Sequence, residues 1–219
     1  MFGQIVSGRI ADAPATDGEG DESDQSRGDG LVDRSGLCLS ITLLGIGALG
    51  VVTSVAVGEG AAGSFGAGLA LVMLAIAAVD ARRFLIPDPL NAAGVMLGVA
   101  NAAVLGQGDV ALLAETLLRA VVVAGAFLGL RFAYLRLRRR QGIGLGDVKL
   151  AAVAGAWLDW PIVPMAIEIA ALSALVIYAL RRFVLGHRLR PDARLPFGLF
   201  FAPAIWIGWL LQTLRLGVF

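Results

Sequence analysis

Seven apolar runs, each closed by a charged or helix-breaking cluster, limit what this chain can fold into more than any other feature of it. They cover residues 37–57, 61–80, 89–106, 110–134, 147–157, 162–180 and 197–214. A helix that crosses a bilayer needs about 20 mostly apolar residues, and fewer where it abuts a cavity-lining stretch. The fifth run is short; the others are near or beyond that length. With 58% hydrophobic and 16% charged residues among 219, the chain has too little polar surface for a water-soluble domain of its size. The fold these runs predict is all-α, a polytopic membrane bundle of about seven transmembrane helices.

The connections between runs set an orientation. Arginine-bearing stretches at 81–88, 131–146 and 181–194 alternate with 58–60, 107–109 and 159–161, which hold no Lys or Arg. Basic short loops stay on the cytoplasmic side, so the N-terminus is expected inside and the C-terminus outside. The net charge of +1 hides an imbalance. Residues 1–36 hold eight acidic and three basic side chains, a net −5, which leaves +6 for the remainder. That first segment is poor in large apolar residues and cannot offset its ordering entropy, which predicts a disordered acidic cytoplasmic tail over 1–36 ahead of a membrane-embedded domain over 37–219. It does not read as a secretory signal, because the first apolar run starts only at Leu37 and follows an acidic stretch. A single cysteine, Cys38, leaves neither an intrachain disulfide nor a Cys-based zinc site open, and its plain reading is a small buried apolar residue.

Chemistry concentrates where Gly142 to Leu150 reads Gly-Ile-Gly-Leu-Gly-Asp-Val-Lys-Leu. Asp147 opens the fifth run, and an ionisable group at the mouth of a membrane segment is a functional candidate because burying its charge in hydrocarbon costs about 2.5–3.5 kcal/mol. Residues without Cβ at 142, 144 and 146 permit close approach of backbone or substrate, although glycines also serve ordinary helix packing. The orientation places Asp80, which closes the second run, on the same side of the membrane. Two carboxylates held close together tend to share one proton, so that the charged one can activate water while the protonated one hydrogen-bonds a carbonyl. Lys149 is the one lysine in the chain, beside seventeen arginines. It lies two residues after Asp147, off that residue's helix face, so the spacing implies no ion pair between them and snorkelling to the interface accounts for it equally well. Glu168 in the sixth run reads best as a carboxyl hydrogen-bonded inside the bundle. Asp88, between Pro87 and Pro89, reads as a turn and helix-cap residue.

Three stretches carry a family resemblance: Asp80-Ala-Arg-Arg-Phe-Leu-Ile-Pro-Asp88-Pro-Leu-Asn91, Gly144-Leu-Gly-Asp147-Val-Lys-Leu150 followed by Gly155-Ala-Trp157, and Leu195-Pro-Phe-Gly198. On these the chain resembles the prepilin peptidases, membrane-embedded aspartic endopeptidases of the Gly-x-Gly-Asp type that process type IV pilin-like precursors. The resemblance implies that Asp80 and Asp147 are catalytic, with Gly144, Gly146, Lys149, Pro87 and Asp88 as supporting motif positions and no metal or cofactor. It implies a prepilin or pseudopilin precursor as partner, with a short basic leader cut after a glycine just before an apolar helix. It also implies residence in a prokaryotic inner membrane, with the lipid bilayer and no nucleic acid as surroundings. An acidic tail could attract such a leader. Longer members of the family carry two cysteine pairs and a methyltransferase activity; with Cys38 alone, the resemblance implies the short peptidase-only form of tight-adherence or Flp-type systems. Two rival readings stand beside it: a proton-coupled small membrane transporter relaying protons through Asp80, Asp147 and Glu168, and a non-catalytic assembly partner whose glycines serve packing.

Overall fold

The computed structural model of the protein describes residues 41–139, 142–183 and 196–214. The acidic tail, Cys38 and most of the basic loop at 181–194 lie outside the described residues. Described residues from Leu43 onward belong to one compact unit. The helices are α1 (Ile41–Val57), α2 (Ala61–Arg83), α3 (Asp88–Leu105), α4 (Val110–Arg138), α5 (Leu145–Trp157), α6 (Ile162–Phe183) and α7 (Phe197–Thr213). No strand occurs among the described residues. The protein is a polytopic helical membrane protein, with α2, α3, α4 and the 162–180 stretch of α6 long and apolar enough to cross a bilayer.

Local chemistry explains the boundaries. At the start of α3, Pro87 is the flanking residue and Pro89 sits in the first turn, where a missing N–H costs nothing. The turn after α3 uses left-handed backbone at Gln107 and Gly108, and the Asp109 carboxylate then accepts from Ala111 N at 2.8 Å to cap α4. α2 runs three residues past Asp80 and stops at Phe84, whose left-handed backbone turns its N–H back to the Asp80 carbonyl.

α5 is the centre of the bundle. Leu150, Ala151, Val153, Ala154 and Leu158 are fully buried, and α3, α4 and α7 pack around them. Its 13 residues span only about 20 Å, less than the roughly 30 Å hydrocarbon layer. Enclosure by other helices permits this, because a helix shielded from lipid need not reach both interfaces. The closest approach is to α4. A Cβ on Gly155 would lie 2.5 Å from the Arg119 carbonyl and 2.7 Å from Ala120 Cα, so only glycine fits there. Arg119, 7% exposed, ties the same two helices together, pairing with Glu115 at 3.0 Å and with Asp159 beyond the end of α5 at 3.3 Å. At that end the Gln212 side chain of α7 donates to Trp157 O and accepts from Asp159 N.

Candidate active site

The opposite end of the bundle gathers the C-terminal end of α2 and the N-terminal ends of α3, α5 and α7. Asp80, 4% exposed, points its carboxylate at the start of α7 and accepts from Leu199 N at 2.9 Å. Unpaired N–H groups and the helix dipole make such a start a favourable seat for a carboxylate. Gly198 makes the seat possible: a Cβ there would fall 2.8 Å from Asp80 Oδ2.

Asp147 is the third residue of α5, half-buried, and accepts from Gly144 N at 3.1 Å across the first turn. This is the reciprocal half of a capping box, with glycine at the cap. Gly144 itself is extended at φ −71°, a conformation open to any residue. A Cβ on Gly144 would nonetheless lie 3.2 Å from Asp147 Oδ2, and the neighbouring glycines also act through close contact. A Cβ on Gly146 would sit 3.1 Å from Ile86 Cβ, and one on Gly142 would sit 2.6 Å from the Tyr134 ring. The glycine run therefore packs a tight loop against α4 and against the 84–87 connection.

Ile86 joins the two halves. It is 7% exposed, and its Cδ1 lies against both Gly146 and Gly198. One side chain thus touches the residue before Asp147 and the residue that cradles Asp80. The two aspartates thus share one packing neighbour at the same end of the bundle.

A family model described as "Type IV leader peptidase family" matches residues 67–179, a range that holds both aspartates. The chain belongs to the type IV leader peptidase family. Among curated relatives of this leader peptidase family, the chain is 34% identical over 151 residues to the "Prepilin leader peptidase/N-methyltransferase" of Dickeya chrysanthemi, covering 65% of this chain and 49% of that protein. It is 34% identical over 145 residues to the protein of the same name in Burkholderia pseudomallei strain K96243, covering 62% and 42%. Against "Leader peptidase HopD" of Escherichia coli it is 31% identical over 131 residues, covering 59% of this chain and 82% of that one. The chain spans about half the length of the first two relatives. No solved structure gives a significant match.

The other expected positions sort clearly. Asp88 is the first residue of α3, exposed, and its carboxylate pairs with Lys149 Nζ at 2.5 Å. Lys149 thus has a specific partner, which the sequence left open beside snorkelling: the lysine links the second turn of α5 to the first turn of α3. Pro87 precedes that turn and fixes its φ at −65°. Glu168 is a correction. It lies on the exposed face of α6, not hydrogen-bonded inside the bundle, because the buried stripe of that helix runs through Val163, Ala166 and Ala170. Four residues around the site were given no individual role by sequence reasoning: Ile86 and Gly198, which stood only as members of the quoted motifs, and Arg131 and Leu199. Of these, Arg131 carries a further signal, as a cation at the edge of an apolar run.

Proposed function

We propose that the chain is a membrane aspartic endopeptidase that removes the short basic leader from type IV prepilin-like precursors at the cytoplasmic membrane face. The observation that carries this reading is the joint seating of Asp80 and Asp147 at one end of the bundle, bridged by Ile86, inside the region matched by the leader peptidase family. In this reading one carboxylate is charged and takes a proton from water while the other, protonated, hydrogen-bonds the scissile carbonyl. The hydroxide adds to that carbon, and the leaving amine takes a proton as the C–N bond breaks. The pair acts as one coupled site with no fixed acid and base. Backbone N–H groups fix each carboxylate by one oxygen, Leu199 for Asp80 and Gly144 for Asp147, leaving the other oxygen of each for water and substrate.

The N-terminus is taken as cytoplasmic and the membrane as the prokaryotic inner membrane, on the alternation of basic and non-basic loops. The relatives' names divide between peptidase with methyltransferase and peptidase alone. We assign the chain to the second group, since it holds only one cysteine where the longer members carry two pairs. Incubation with S-adenosylmethionine and a cleaved precursor should then give no methyl transfer.

The test of the whole reading is co-expression with a prepilin carrying a basic leader, following the precursor's size. The native chain should shorten it, and Asp80→Asn and Asp147→Asn should not. Cleavage at native rate by either variant, at normal protein level, rejects the two-aspartate reading.

A further inference from the structure

Ile143 and Gly144 share one peptide group, and both of its polar atoms are engaged. Its carbonyl oxygen accepts from the Arg131 guanidinium of α4, and its N–H donates to Asp147 Oδ2 at 3.1 Å. A cation and a carboxylate are thereby joined head to tail through a single amide dipole, an arrangement in which each hydrogen bond polarises the next. We propose that Arg131 is a positioning residue for Asp147, fixing the plane of the Ile143–Gly144 peptide and through it the carboxylate. This rests on the proposed role of Asp147 in cleavage.

The surroundings favour that role over a general anchoring one. Ile143 lies between Gly142 and Gly144, the residue type that loses most freedom on ordering, so the plane of this peptide needs an external hold. α4 supplies one from a single face: Tyr134, three residues after Arg131, lies against Gly142. Among the described residues no carboxylate pairs with Arg131, so its hydrogen bond is not explained as a by-product of an ion pair. α4 continues seven residues past Arg131 to Arg138, about 10 Å, and Arg136 and Arg138 are the exposed cations placed to anchor its end.

The test uses the full chain in lipid vesicles with a prepilin precursor. Arg131→Gln should lower kcat about tenfold with KM within about twofold, because the lost contact acts on a reacting group and not on binding. Arg131→Lys, which keeps a donor and a charge, should recover at least half of the lost rate. Gly144→Pro removes the N–H at a compatible φ of −71° and also sets its Cβ about 3.2 Å from Asp147 Oδ2, so it should lower kcat at least as far. The double variant should be no slower than the slower single, since both act through the same peptide. Native kcat in Arg131→Gln, a raised KM at unchanged kcat, or multiplied losses in the double variant overturns the proposal. Should Arg131→Gln fail to accumulate, Arg131→Met, which keeps an apolar stem without a donor, is read in its place, and native kcat there is the overturning result. Asp147→Asn run in parallel separates the two levels. Its native activity would reject the aspartate reading itself, whereas its inactivity beside a native Arg131→Gln rejects only the positioning role.

Discussion

Replacing Gly198 by alanine probes the seat of Asp80 with a single methyl group. Its Cβ would lie 2.8 Å from Asp80 Oδ2, 3.1 Å from Asp80 Cγ and 2.8 Å from Ile86 Cδ1. Carbon atoms rest at about 3.5–4.0 Å, so the overlap with Ile86 alone is roughly 0.7 Å or more. Ile86 can retreat little, because it is itself buried within the core cluster. The carboxylate must therefore give way, stretching its 2.9 Å bond to Leu199 N. Overpacking of this kind costs about 1–3 kcal/mol in stability, while moving a reacting group by up to 1 Å costs up to about 100-fold in rate. Gly198→Ala is expected to accumulate normally and to cleave precursor about 10- to 100-fold more slowly, measured as a time course in vesicles. Adding Ile86→Val, which deletes Cδ1, should return part of the rate. Native-rate cleavage by Gly198→Ala would mean that the Gly198 contact does not hold Asp80 in its working position.

Three further outcomes follow from the packing. Asp88→Asn and Lys149→Met, singly or together, should retain cleavage and cost at most about 1 kcal/mol, as an exposed ion pair does; thermal unfolding in detergent beside the cleavage assay checks this. Gly155→Ala should lower the unfolding temperature, because its methyl meets α4 backbone that cannot rotate aside, whereas Gly129→Ala on α4 meets nothing within 4 Å and should be neutral or stabilising by up to about 1 kcal/mol. Glu168→Gln should leave precursor cleavage at the native rate, since that carboxyl faces outward from α6; loss of cleavage would bring Glu168 back into the mechanism.

The helices were legible because apolar runs and their breakers are local. The run expected at 110–134 is a helix to Arg138, and the one expected at 147–157 starts two residues earlier at Leu145. α5 was recognisably short, but only the fold explains how a 13-residue helix can serve, by enclosing it in α3, α4 and α7. Long-range partners were not legible. Asp80 finds Leu199 across 119 positions and Lys149 finds Asp88 across 61, and no periodicity within either helix encodes such a meeting. Glu168 was misplaced for the converse reason. A carboxylate in an apolar run argues for burial, yet the register of α6 turns small residues inward and the acid out. Arg119, inside its run, was passed over although Glu115 one turn before it marked a local pair.

The central claim is that Asp80 and Asp147 work as one unit, and the most direct measurement is kcat for Asp80→Asn, Asp147→Asn and the double variant, purified and assayed in vesicles on one precursor. The account predicts that each single change removes nearly all cleavage and that the double variant is no slower than the slower single, as for groups acting together. It is contradicted if either single variant keeps more than about a tenth of the native rate, or if the losses multiply as those of independent sites do.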